Sequence, residues 1–155
     1  MTSTDMDVDV TAQRRVEELT AVFERGLREK LGVGDSLGIR LESASKGHTR
    51  YYLDPNPATI NAMFTVHGGV LATLMDTAMG SAVFTELGDG VAYTTLELKV
   101  NFIRAVTLDG SRLTCDATAV HVGRRTATAE GRITDAAGKL IAHGTTTILI
   151  LAQGN

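Results

Sequence analysis

GGVLATLMDTAMGSAVF, residues 68–84, is the longest apolar run in the chain, and its reading decides the fold. It falls short of the ~20 residues that a membrane span needs. It also carries Asp76 at its centre, a residue that costs ~2.5–3.5 kcal/mol in mid-membrane. A run that is apolar almost all round, and rich in Gly and Ala, reads as a helix buried inside a protein. We expect that helix over residues 68–86, stopped by Gly88-Asp89-Gly90. Gly69, Ala72, Ala78, Gly80 and Ala82 are small enough to let a curved sheet approach closely.

Beyond the helix the period changes. Residues 91–103, 111–122, 125–134 and 140–151 are four β-rich runs. Asp109-Gly110, Gly123-Arg124 and Ala137-Gly138 separate them as hairpin-type turns, which predicts an antiparallel meander. Upstream, residues 36–44 alternate in part (Leu37, Ile39, Leu41) and residues 49–53 form a short strand, with a turn at Gly47 between them. Asp54-Pro55 ends that strand, and Pro57 keeps residues 55–66 irregular. Residues 11–31 place Val16, Leu19, Val22, Phe23, Leu27 and Leu31 near one helical face, with Thr11 as cap and Gly32 and Gly34 at the end. The fold class is therefore α+β: a long central helix wrapped by a curved antiparallel sheet of five or six strands, with an extra N-terminal helix. The expected organisation is a mobile tail over 1–10, a helical unit over 11–34 and one domain over 35–155.

Composition sets the outer bounds. The chain has 155 residues, 43% hydrophobic and 21% charged, enough to build a core and too apolar for a disordered chain. Its formal charge is −3 and its pI about 5.8, whereas proteins that live on phosphate contacts are usually basic, so nucleic acid is not an expected partner. The first ten residues, MTSTDMDVDV, lack the basic start and apolar stretch of a secretory leader. With a single cysteine, Cys115 in a strand-like run, this points to a reduced, cytoplasmic setting and no membrane. Cys115 reads as a small buried hydrophobe, because no helix start lies beside it to activate the thiol.

The chemistry concentrates in NAMFTVHGGVLATLMD, residues 61–76. Two glycines follow His67 where the helix begins, and the first turn of a helix offers free N–H groups and partial positive charge. Such a place suits an anion or a developing oxyanion; equally, Gly68 and Gly69 allow close helix–sheet packing. Asp76 is the only charge between His67 and Glu86, and it is too deep in the helix to cap it. An ionised carboxylate among apolar residues is paired or functional, so Asp76 is either a working group or the partner of Arg104 or of a backbone donor. His67 is a general base or a ring that holds the loop. Asn61 is a neutral donor or a turn residue. His121-Val122-Gly123-Arg124-Arg125 is a phosphate grip or a solvated hairpin tip, and Arg104 joins the same basic rim on the first reading. No histidine or carboxylate spacing suggests a metal site, and no nucleotide-binding fingerprint is present.

In this order the residues resemble the hot-dog fold thioesterases of the phenylacetyl-CoA, PaaI-like, group. The matching segments are Asn61 with His67-Gly68-Gly69 through Asp76-Thr77-Ala78, then Thr95 to Phe102, Val122 to Arg125, and Gly138 to Ala142. The chain differs at Arg104-Ala105-Val106, where many relatives carry a proline. The resemblance implies hydrolysis of an acyl-CoA thioester, with coenzyme A as part of the substrate and no other cofactor. It implies a homodimer, pairing into a tetramer, with the active site between subunits. Asp76 would activate water or attack directly, Gly68 N–H would polarise the carbonyl with help from Asn61, and His67 would shape the loop. Thr95, or its neighbour Thr94, would orient the water or the carboxylate. Gly69, Arg104, Gly123, Arg124 and Arg125 would meet the substrate, and Leu53, Met63, Phe64, Met79 and Phe84 are candidates for the acyl pocket.

Two other readings use the same residues. A hot-dog enoyl-CoA hydratase or dehydratase would need a histidine and a carboxylate converging on the acyl chain, yet His67 and Asp76 lie ~13 Å apart along one helix. A non-catalytic acyl-CoA binding module would hold the thioester without turnover.

Overall fold

The structure, a computed structural model, describes residues 3–151, with side chains from Val10 onward. In chain order the elements are α1 (Ser3–Glu29), α2 (Gly32–Leu37), β1 (Ile39–Ser45), β2 (His48–Leu53), α3 (Gly68–Phe84), β3 (Ala92–Phe102), β4 (Leu113–Val122), β5 (Thr126–Thr134) and β6 (Leu140–Leu151). One six-stranded antiparallel sheet, ordered β1-β2-β4-β5-β6-β3, wraps α3. The helix-in-sheet architecture expected from residues 68–84 is thus present.

The meander needs correction. β4, β5 and β6 do follow one another, but β3 crosses to the far edge and pairs with β6. Asp109-Gly110 is therefore a bend in a crossover and not a hairpin. That crossover straps the segment before α3: Val66 N–H donates to Val106 O over 2.8 Å, and Thr65 bridges Thr107. Extra residues at Glu42, Leu96 and Val120 interrupt three strand pairings. Such bulges sharpen twist and bend the sheet around its helix.

The core lies between α3 and the concave face. Leu74, Met75, Ala78, Met79, Ala82 and Val83 are fully buried on α3, facing Tyr51, Leu53, Leu113, Cys115, Ile133 and Ile148. Each large side chain removed from water this way is worth about 1.5–3 kcal/mol. Leu53 and Met79 belong to this sealed core, so they line no open pocket in the protomer. Two strand glycines make room for the helix: a Cβ on Gly131 would touch Met75 and Met79, and one on Gly144 would collide with Lys99 O and Met75 Sδ.

The N-terminal helix starts earlier and turns differently from expectation. It begins at Ser3, so Thr11 lies inside it and does not cap it. Residues 1–2 of the expected mobile tail lie outside the described residues. Among its described side chains Ala12, Arg15 and Leu19 are buried, while Val22, and Leu31 just beyond the helix, are exposed. Lys30, not a glycine, ends the helix: its φ is 54°, and Leu31 N–H closes on Gly26 O at 2.8 Å. Residues 36–37, read as strand, finish α2, and Gly38 at φ 76° turns the chain into β1. A cleft of about 460 Å³, lined by Val22, Leu27, Leu31 and Gly34 among others, opens between α1 and α2 and includes no residue of α3 or β3.

Candidate active site

Side-chain hydrogen bonds to β2 and the β1–β2 turn fix the rotation of α3. Thr49 Oγ1 donates to Ala78 O over 2.7 Å, Tyr51 Oη and Ser81 Oγ share a hydrogen bond of 2.8 Å, and Thr85 Oγ1 accepts from Gly47 N–H at 2.8 Å. With that face held inward, Ala72, Thr73, Asp76 and Thr77 form the half-buried stripe of the helix. Asp76 thus has access to solvent while its neighbours in sequence, Met75 and Ala78, are sealed.

Asp76 meets Thr95. Thr95 Oγ1 donates to Asp76 Oδ1 over 2.8 Å. Thr94 is exposed on the other side of β3. The bulge decides between the two. Leu98 and Val100 face the helix side, so strict alternation puts Thr94 beside them; the extra residue at Leu96 switches the parity and turns Tyr93 and Thr95 inward. Among the described residues Asp76 makes no ion pair, with Arg104 or with any other cation. Tyr93 lies over Gly80, one helical turn past Asp76, where a Cβ would come within 2.8 Å of its hydroxyl. Burial, reinforced by the Asp76 charge and opposed by Arg15, pushes the Tyr93 phenol up to about 12.

At the other end of α3, His67 is the N-cap, and its Nδ1 accepts from Gly69 N–H over 2.8 Å. That hydrogen bond ties the ring to the first turn of the helix and makes it a holder of the loop. The first-turn N–H groups of Val70 and Leu71 close on His67 O, while Gly68 N–H has no acceptor among the described residues. Gly68 borders a cleft of about 330 Å³ together with Thr65, Leu71, Phe102 and Arg104. A Cβ on Gly68 would lie 3.2 Å from the Phe102 ring, so glycine keeps this backbone open to the cleft.

Asn61 builds a turn. Its Oδ1 accepts from Met63 N–H and Thr65 N–H at 2.9 and 3.2 Å, and its Nδ2 donates to Thr65 Oγ1 at 3.0 Å. The turn puts Phe64 at φ 60°, a conformation that costs a bulky residue about 1–3 kcal/mol. Met63 and Phe64 are 82% and 70% exposed at its tip.

The basic residues do not form one rim in a protomer. Arg104 N–H bonds Ile141 O, and Ile150 N–H bonds Arg125 O. Those two anchor points are nine residues apart on β6, or roughly 30 Å. Arg104 therefore stays with Gly68 at one end of the sheet, and Gly123, Arg124 and Arg125 turn at the other. Arg124 and Arg125 are exposed there. Among the described residues, no three His, Cys, Asp or Glu side chains converge as a metal site would require. Among the described residues no helix is long and apolar enough to cross a membrane.

One buried charge escaped the reading of the sequence. Arg15 is 1% exposed, lies 3.6 Å from the Phe84 ring centroid and donates to Val91 O at 2.8 Å. It ties α1 to the end of α3 and to the strand that carries Tyr93 and Thr95. An arginine within an amphipathic pattern shows only its local partner, here Glu18 at 2.9 Å; the backbone oxygens of Phe84 and Val91 that it also reaches are distant in sequence.

Known proteins share this fold. Residues 63–142 match the thioesterase superfamily. A Halobacterium salinarum protein, described provisionally as an esterase, is 36% identical over 104 residues, covering 64% of this chain and 67% of its own. A Streptococcus pneumoniae structure, described as a hypothetical thioesterase protein with coenzyme A, is 28% identical with a TM-score of 0.68, over 76% of this chain and 88% of that one. The Escherichia coli PaaI protein of the phenylacetic acid degradation operon shares the fold at 22% identity, with a TM-score of 0.75 over 88% and 96% of the two chains. A family match over half the chain, on a helix-in-sheet fold shared with solved thioesterases, leads to one conclusion: this chain belongs to the thioesterase superfamily, as a hot-dog fold thioester hydrolase.

Proposed function

We propose that the protein hydrolyses acyl-CoA thioesters, with Asp76 as the base that activates water and Gly68 N–H as the donor to the carbonyl oxygen. The observation that carries this reading is the 2.8 Å hydrogen bond that holds Asp76, the one charge on a helix of otherwise uncharged residues, toward Thr95. Water placed on Asp76 gives up a proton to the carboxylate as it attacks the thioester carbon. The carbonyl oxygen gathers charge against Gly68 N–H. The tetrahedral species then collapses, the C–S bond breaks, and coenzyme A leaves with its thiol reprotonated from Asp76. A positioned base is worth about 10²–10⁴ in rate, and one oxyanion donor about 10²–10³.

The two groups belong to different copies. Gly68 and Asp76 are eight residues apart on α3, ~12 Å along its axis, so one protomer cannot bring both to one carbonyl. A dimer in which the free edge of β3 meets a second copy satisfies this requirement. The coenzyme A structure of the Streptococcus pneumoniae relative supports the substrate class. Arg104, beside Gly68 in the same cleft, and the Gly123–Arg125 turn carry the cations available for its phosphates. Asn61 acts through the turn it builds.

Thiol release from a panel of acyl-CoA esters of graded size tests the proposal. Free coenzyme A should appear, and Asp76→Asn should lower kcat at least a hundredfold. Wild-type turnover in Asp76→Asn would overturn the mechanism.

A further inference from the structure

Resting on the thioesterase reading above, we propose that the Met63–Phe64 turn of one copy forms the wall that contacts the acyl group in the site whose base is the partner's Asp76. The turn has features of a surface prepared for contact. Phe64 holds a left-handed backbone that bulky residues avoid, and Met63 and Phe64 are 82% and 70% exposed. Asn61 fixes this shape with both ends of its amide, and Phe64 N–H adds a bond of 3.0 Å to Asn61 O. Strained residues persist where the surroundings enforce them, and they cluster at functional sites. Among the described residues no aromatic ring stacks on Phe64.

Chain connectivity names the occupant. Three residues separate Phe64 from Gly68, a reach of at most about 14 Å over four steps of chain. The site is complete only when Gly68 of one copy faces Asp76 of another, so whatever delivers Gly68 delivers this turn as well. The receiving face is open: no residue of β3 is buried, and Leu96 is 57% exposed beside Thr95. Two uncharged, polarisable side chains suit an acyl group and not the phosphates of coenzyme A. They would favour bulky or longer acyl groups, since an acetyl group is too short to reach from the carbonyl to the turn.

Phe64→Gly tests the idea, because glycine accepts the same backbone shape. The readout is the ratio of kcat/KM for octanoyl-CoA to that for acetyl-CoA, with an unchanged circular dichroism spectrum as the check on folding. The ratio should fall about tenfold or more in Phe64→Gly and stay within about threefold of wild type in Phe64→Leu. A heterodimer of an Asp76→Asn copy with a Phe64→Gly copy, purified on two tags, has one competent site. In that site Phe64 comes from the first copy and Asp76 from the second, so the wild-type ratio should return. A Phe64→Gly-like ratio in the heterodimer would overturn the placement across copies. An unchanged ratio in the Phe64→Gly homodimer would overturn the inference and leave the thioesterase reading standing. No thiol release by the wild type from any ester would overturn both.

Discussion

The hydroxyl of Thr95 reaches Asp76 Oδ1 at 2.8 Å, and Thr94 beside it faces away. A hydrogen bond to a charged group is worth about 1.5–3 kcal/mol, a factor of roughly 10–150. Thr95→Val should therefore lower kcat by at least about tenfold with little change in KM, and Thr94→Val should leave both near wild type. Equal losses in the two variants, measured by steady-state thiol release, would refute the assignment. Neither threonine could be chosen from sequence, because the bulge at Leu96 resets the alternation between Thr95 and Leu98. His67 is a similar case. Its position before two glycines fits a base or a cap, and only the Nδ1 contact to Gly69 N–H selects the cap.

At the scale of elements, α3 must lie hard against β6 for Asp76 to stand opposite Thr95. Gly144 is the contact that permits it, since any Cβ there meets Met75 Sδ of α3 at 2.6 Å as well as Lys99 O of the neighbouring β3. Gly144→Ala should cost about 1–3 kcal/mol of unfolding free energy, read from urea midpoints, because backbone cannot step aside as a flexible side chain can. An unaltered midpoint would mean that α3 sits farther from the sheet. The latch of α1 makes a second test. Arg15→Ala strips the Val91 carbonyl of its buried donor and uncovers the Phe84 ring, which should cost about 2–4 kcal/mol. Loss of stability without loss of acyl selectivity would identify α1 as a brace; Arg15→Lys, which keeps the charge but not the flat stack, should recover only part of it.

For the whole molecule, buried protons set the alkaline limit. Burial pushes Tyr93 and Cys115 up to about 12, and it raises Tyr51 as well. Unfolded, these groups titrate near 8.5–10. Between those values and the folded ones, the unfolded chain releases protons that the native chain keeps, so stability present at neutral pH falls as pH rises. Unfolding free energy should be level near pH 8 and drop steeply between about pH 9 and 12, and Cys115→Ala should delay the onset. A flat profile through pH 11 would show that these groups are not sealed. Assembly is a separate whole-molecule expectation: sedimentation should give a dimer or larger at assay concentrations, and a fully active monomer would contradict the shared site.

The linear order of residues was enough for the helix inside a sheet and for a count of five or six strands, and it singled out residues 61–76 as the place to look. Hydrophobic periodicity and turn chemistry are local signals, and 68–84 and 140–151 carry them strongly. It was also enough to mark Asp76, because a charge in an apolar run has few explanations. Strand order was beyond its reach, since β3 and β4 are joined by a crossover whose Asp109-Gly110 pair reads like a hairpin turn. So were the partner of Asp76, the separation of Arg104 from Arg124 and Arg125, and the burial of Arg15. Each of these depends on which distant segments share a sheet edge or a bulge, and backbone pairing, not side-chain pattern, sets that geometry.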